Sequence, residues 1–520
     1  MLAKIHSAAV WGVEALGVEV EVNNTWGDYD TKVVGLPDAA VRESCHRVYT
    51  AMQNSGFKNP LGRTTINLAP ADIRKEGPSF DLPMALGLLA ATGQIQAPGA
   101  KDPEPPDLGR FLIVGELALS GEVRQVRGVL SAALEAKRQG RRAVIVPKAN
   151  AGEAALVRGL DVFPVASLRE AADLLASSEF PAPFPSPDLA ESDEAFAAEF
   201  DFAEVKGQES AKRAVEVAVA GGHNLLMIGP PGSGKSMLAK RIPSIFPPLG
   251  LDEAVDATKI HSVAGLLPPG QALVRRRPFR SPHHTISDVG LVGGSANPSP
   301  GEVSLAHHGV LFLDELPEFK RSALEVLRQP LEDGHITISR ASGTMTFPAQ
   351  FMLVAAMNPT PTGNFGDAQR GKCTPLQVQK YLNKISGPLL DRIDLHIEVP
   401  ALKHEELLKQ HGGAEPSAAI RARVVAARKI QLARFEKSKR KIGCNAQMGP
   451  AELKKYCALD DASREFLKMA LDDLKLSARA YDRILKVART IADLAGDENV
   501  GEAAIAEAVQ FRSLDRQIWG

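Results

Sequence analysis

Eight consecutive residues near the middle of this chain, Gly229-Pro230-Pro231-Gly232-Ser233-Gly234-Lys235-Ser236, have the types and spacing of a phosphate-binding loop. A short apolar run, residues 224–228 (NLLMI), precedes them, and a helical segment, Met237–Arg241, follows. That strand-loop-helix order is what the chemistry requires. Gly232 and Gly234 let backbone N–H groups curl around phosphate oxygens, where a Cβ would intrude. The helix then directs its positive N-terminus at the same oxygens. Lys235 is placed to reach the β- and γ-phosphates, and Ser236 offers a hydroxyl to Mg2+.

A second pattern, VLFLDE at residues 310–315, reads as a buried parallel strand that ends in two acids. Alone, two acids after a strand are an ordinary surface feature. Behind a phosphate loop they complete a hydrolytic site, in which Asp314 holds Mg2+ through water and Glu315 orients the attacking water. The cofactors expected are therefore ATP and Mg2+.

These motifs need a parallel sheet to carry them, and the surrounding sequence supplies one. Residues 201–400 alternate apolar strand-like runs with helices. From Ala401 onward the chain reads as almost wholly helical, a lid. Residues 1–176 mix strand-like runs (Val18–Val22, Thr64–Leu68, Phe111–Val114, Ala143–Val146) with helical ones (Ala39–Gln53, Leu82–Thr92, Val129–Gln139), an α/β domain. Four prolines within residues 177–200, followed by an acidic stretch, mark a linker. Residues 97–109 read as a surface loop. A length of 520 residues suits several such domains.

Composition narrows the partners. A net charge of −1 gives no global signal for nucleic acid, so any such contact must be local. The four cysteines show no C-x-x-C pair, and no apolar run is long enough to span a membrane. The N-terminus lacks the pattern of a signal peptide, so a reducing cytoplasm is expected.

Four segments together resemble the Mg-chelatase-like AAA+ family. They are residues 200–236, which end in the phosphate loop; residues 277–319, from RPFRSPHHT to FLDELPEF; ISGPLLDRIDLHIEVP; and LSARAYDRILKVARTIADL. The resemblance implies a P-loop AAA+ α/β core with a C-terminal helical lid. It assigns Asn358 as the polar residue beside the γ-phosphate (sensor 1). It assigns Arg392 as an arginine finger offered to a neighbouring subunit, and Arg479 as the sensor-2 arginine of the lid. The segment around Val205 and Gln208 would line the adenine pocket. The bland alternatives are an Asp391–Arg392 surface pair and a solvated helix face bearing Arg479, Arg483 and Lys486. An arginine finger implies a ring, and the family implies a homohexamer.

The resemblance further implies two insertions. Residues 265–309 carry Arg275, Arg276, Arg277, Arg280, His283 and His284. Residues 335–349 read as a hairpin carrying Arg340. Loops of this kind would face a central pore, where the arginines suit phosphate contacts. Many relatives place four cysteines after the sensor-1 strand. Here Thr360 and Thr362 stand at two of those positions and only Cys373 remains, so no zinc is expected.

Residues 74–93 and 115–140 resemble the proteolytic domain of Lon, a ribosomal S5 domain 2-like fold. Ser79 falls on the nucleophile position, but the position expected to hold a lysine is Leu130, and Phe80-Asp81 follow the serine. Arg124 and Arg127 cannot substitute, because guanidinium stays protonated. Peptidase chemistry is therefore not expected. The function the whole resemblance implies is an ATP-driven DNA motor, a helicase or branch-migration enzyme. It would serve homologous recombination of incoming DNA in natural transformation, with DNA and recombination proteins as partners. A metal-insertion motor and a protein-remodelling unfoldase are the alternatives.

Overall fold

The computed structural model describes residues 2–72, 75–96, 106–187, 199–268, 270–294, 299–340, 343–364, 372–401, 414–438, 440–474 and 478–515. The loop expected at 97–109 and the linker expected at 177–200 lie partly outside the described residues.

The amino-terminal part is built on a mixed seven-stranded sheet. Its long hairpin, Leu2–Trp11 paired antiparallel with Glu14–Thr25, turns at Gly12, whose φ of 65° suits glycine. Helix Asp81–Ala91 is buried at every position between this sheet and helix Ala39–Asn54, so it is apolar all round rather than striped. Asp38 caps helix Ala39–Asn54 by accepting from the Val41 N–H at 2.7 Å.

The central part carries a second sheet of five parallel strands in the order Phe279–Arg280, Val310–Leu313, Met352–Met357, Leu225–Ile228, Leu395–Glu398. The middle strands are buried on both faces, which is why they read as unbroken apolar runs rather than alternating ones. All five run the same way, so everything that follows a strand lies at one rim and everything that precedes it lies at the other. The carboxy-terminal part is helical among the described residues, with helices Ser417–Phe435, Pro450–Tyr456, Asp461–Leu474, Ala478–Ala495 and Glu502–Gln510. Its apolar faces join the core beneath the phosphate loop.

A two-stranded hairpin, His335–Arg340 with Gly343–Pro348, stands apart from the five-stranded sheet. Its cross-strand pairs Ile336–Phe347 and Ile338–Met345 make one face apolar, and Thr337–Thr346 and Ser339–Thr344 make the other polar.

Candidate active site

The phosphate loop leaves the strand Leu225–Ile228 at the C-terminal rim of the parallel sheet. Gly232 and Gly234 have φ of 76° and 90°, values an L side chain resists. Gly229 answers a different need, because a Cβ there would lie 2.1 Å from the Val399 carbonyl oxygen. The helix after the loop runs Lys235–Ile245, longer than the Met237–Arg241 segment expected. The Lys235 ammonium donates to the carbonyls of Gly229 at 2.7 Å and Pro230 at 3.0 Å, and to Asn358 Oδ1 at 3.3 Å. Burial lowers its pKa, with Asp314 opposing.

The acids emerge at the same rim. The Ser236 hydroxyl donates to Asp314 Oδ2 at 2.6 Å, so the two expected Mg2+ ligands are already adjacent. This hydroxyl–carboxylate pair is the hard oxygen donor set that Mg2+ takes. Glu315 adopts a left-handed φ of 53°, unusual for a residue that is not glycine, and its side chain is exposed. His284 Nδ1 stands 3.4 Å from Glu315 Oε2. In the sequence His284 reads as one member of a basic cluster, and its sequence distance from Glu315 gives no sign of this contact. Lys235, Ser236, Asp314, Glu315 and Asn358 thus converge from three strands, and Pro230, Pro231 and Ser233 complete the loop.

Gln208 reaches this site from outside the sheet, donating to the Ser233 carbonyl and, at 3.4 Å, to the Pro400 carbonyl. Val205 is fully buried in the apolar core, so its side chain supports the segment from below.

Arg392 and Arg479 stand elsewhere. Arg392 precedes the strand Leu395–Glu398, and its carbonyl accepts from Asn224 Nδ2 at 2.8 Å. Asn224 directly precedes the phosphate-loop strand, so Arg392 lies at the N-terminal rim. A four-residue strand, roughly 13 Å, separates that rim from the phosphate loop. The Arg392 guanidinium pairs with Glu332 and not with its neighbour Asp391. Asp391 instead meets Arg479, at 3.5 Å, and the Arg479 side chain is mostly exposed. Both arginines therefore share one rim, away from the phosphate site of their own chain. Arg340 lines the same surface hollow as Arg392 and donates to the Gly294 carbonyl at 2.9 Å.

The insertion arginines divide. Arg277 is nearly buried and donates to the carbonyls of Pro247 and His308, both at 2.7 Å, and to Glu253 at 2.8 Å. Arg280 makes a two-pronged pair with Glu302 at 2.6 and 2.7 Å. Arg275 and Arg276 line a cavity of about 450 Å3 with Lys240 and the lid residue Arg421. Thr360, Thr362 and Cys373 come together, with the Thr362 hydroxyl 3.6 Å from the Cys373 sulfur. One thiol and two hydroxyls are not the donor set of a structural zinc. Asp256, His307 and His308 also cluster, but His307 Nδ1 accepts the Gln350 N–H at 2.9 Å. The proton then sits on Nε2, which removes that nitrogen as a ligand.

In the amino-terminal part, Leu130 is fully buried in an apolar cluster. Asp81, two residues after Ser79, is buried and paired with Arg47 at 2.6 Å. No lysine hydrogen bond to Ser79 occurs among the described residues.

A phosphate loop on a five-stranded parallel sheet, with acids on the next strand but one and a helical lid, defines a P-loop ATPase of the AAA+ class. Comparison with known proteins gives the family. Residues 201–407 match the model for magnesium chelatase, subunit ChlI; residues 18–150 match that for subunit ChlI of Mg-chelatase; residues 414–512 match that for its C-terminal part. The chain is 44% identical over 519 residues to the uncharacterized protein YifB of Salmonella typhimurium, covering 99% of this chain and 98% of that one. It is 44% identical over 522 residues to competence protein ComM of Haemophilus influenzae, again covering 99% and 98%. The chain belongs to this magnesium-chelatase-like AAA+ family.

Proposed function

We propose that the chain is a ring-forming DNA motor driven by ATP hydrolysis, a helicase or branch-migration enzyme. It would serve recombination of incoming DNA, as the name of the Haemophilus relative suggests. The observation that carries the ring is the separation of Lys235, Asp314 and Glu315 at one rim from Arg392 and Arg479 at the other. Arginines so placed are remote from their own chain's nucleotide and suit a neighbour's, and a closed ring of subunits, a homohexamer by family, would satisfy every site.

Bound ATP with Mg2+ supplies the transferable γ-phosphate and its charge neutralisation. Ser236 and Asp314 would hold the metal. Lys235 would leave the loop carbonyls for the phosphates, with Asn358 fixing its other side. Glu315 would orient water for in-line attack, and Arg392 from the next subunit would stabilise the developing charge. Gln208 keeps the loop in register by holding the Ser233 carbonyl.

The DNA part of the reading rests on the family and on the concentration of cations at Arg275, Arg276, Lys240 and Arg421 in an otherwise neutral chain. Strand displacement on a forked substrate tests it. The expected result is unwinding that requires ATP and is absent in Lys235→Ala. A metal-insertion motor, the second reading, draws on the names of the matched family models and predicts no response to DNA.

A further inference from the structure

The two-stranded hairpin 335–348 raises a physical question, because an isolated two-stranded ribbon is marginal in water. Its apolar face must be covered, and the amino-terminal domain covers part of it. Val13, at the turn of the long amino-terminal hairpin, packs with Met345, Phe347, Ile260 and Leu305 in one buried cluster. The Trp11 ring lies close against the hairpin at Gly343, where a Cβ would come within 2.8 Å of Trp11 Cζ2. A Cβ placed on Gly12 would lie 3.8 Å from Met345 Cβ, an ordinary contact distance.

The turn that makes these contacts is itself held. The Ser131 hydroxyl is buried and donates to the Val13 carbonyl at 2.6 Å. Ser131 sits beside Leu130, on the very helix turn that would hold the lysine of a peptidase. A second grip lies on the helix Leu251–Ala264, which precedes the arginine insertion. There the Gly128 N–H donates to Ser262 Oγ at 3.0 Å, and Lys259 meets Glu14 at 3.6 Å. Ala254 and Leu273 complete the contact by joining the apolar cluster of Val129 and Leu130.

We propose that the amino-terminal domain is a clasp that sets the pose of the hairpin 335–348, with Trp11 and Val13 as its positioning residues. The clasp binds the hairpin and the helix 251–264 into one block, so the two insertions move together. The far end of the hairpin, at Arg340, is then presented on the Arg392 rim at a fixed height. The helix turn that corresponds to a peptidase dyad serves here as the anchor of this contact. The clasp needs the DNA-motor reading only for its consequence in DNA binding, not for its structure.

Hydrogen exchange on the full chain tests it without DNA. Trp11→Ala is expected to raise exchange across 335–348 at least tenfold, and Trp11→Phe to restore it. Exchange in the phosphate-loop strand 225–228 and the KM for ATP should stay as in the wild type, which a general loss of folding would not permit. Ser262→Ala, which removes the Gly128 hydrogen bond of the second grip without touching the aromatic contact, should raise exchange in the same hairpin by a smaller factor. Unchanged hairpin exchange in Trp11→Ala would overturn the clasp. Because no DNA is present, failure of the DNA-motor reading would leave this result standing.

Discussion

Asn224 Nδ2 donates to the Arg392 carbonyl at 2.8 Å, while the backbone of the same asparagine accepts from Asp394 and Leu395 at 3.0 Å and its Oδ1 accepts from the Leu353 N–H at 2.8 Å. The residue that introduces the phosphate-loop strand thus holds the turn that carries the opposite rim's arginine. Asn224→Ala leaves the Arg392 carbonyl and the Leu353 N–H without partners, at about 1–3 kcal/mol each. The expected outcome is a fall in ATP turnover of roughly tenfold or more at unchanged nucleotide affinity, measured by steady-state kinetics beside a direct binding titration.

Lys235 and Glu315 should separate binding from hydrolysis. Lys235→Ala removes the cation from the loop and is expected to abolish nucleotide binding. Glu315→Gln keeps the loop, the Ser236–Asp314 pair and the metal ligands, so ATP should bind normally and persist uncleaved. Single-turnover measurement on the Gln variant checks this, and near-normal turnover would exclude Glu315 as the group that activates water.

The insertion arginines should behave as two classes. Arg277→Ala removes a nearly buried guanidinium that satisfies the Pro247 and His308 carbonyls and pairs with Glu253, and is expected to destabilise the fold by about 1–3 kcal/mol. Arg275→Ala with Arg276→Ala removes instead two of the cations that line the cavity shared with Lys240 and Arg421. That pair should weaken DNA binding equally for all sequences and reduce the salt slope by roughly 0.7–0.9 log units per lost phosphate contact. Thermal melts and a salt titration of DNA affinity distinguish the two.

Asp394 predicts a dependence on pH. Burial pushes its carboxyl upward, but Arg483 at 2.6 Å, with His223 and Lys486, outweighs burial and holds it well below the usual carboxylate range. A depressed pKa stabilises the fold above the unfolded value of about 4, and that contribution is lost as pH falls through the folded value. Asp394→Asn is expected to lower stability at pH 7, and its gap from the wild type should narrow in melts below pH 4.

Local signals made most of the site legible in the sequence. The loop, its flanking strand and helix, and the strand before Asp314 are contiguous patterns whose residue types have one physical use each. The helical lid and the alternation of the 335–348 hairpin were readable for the same reason. What could not be read were partners distant along the chain. Nothing near Arg277 says that Glu253 and the carbonyls of Pro247, Pro248 and His308 consume its donors. Nothing near Arg392 says that Glu332, and not Asp391, takes its guanidinium. Asn224 is only the first residue of the run 224–228 in the sequence, and Trp11 carries no local signal, until the fold sets one against Arg392 and the other against Gly343. His284 likewise gains its meaning only from Glu315. Basic residues were identified correctly as charges, but their pairing is a tertiary fact.

The central claim is that each hydrolytic site is shared between two subunits, one giving Lys235 and Glu315 and the next giving Arg392. It is tested most directly by mixing Lys235→Ala chains with Arg392→Ala chains and measuring ATP hydrolysis across mixing ratios, with co-assembly confirmed. Each variant alone should be nearly inactive. Mixed rings should regain activity, greatest near equal proportions, because an intact Lys235 site then meets an intact Arg392 from its neighbour. No recovery at any ratio in confirmed mixed assemblies would contradict the shared site.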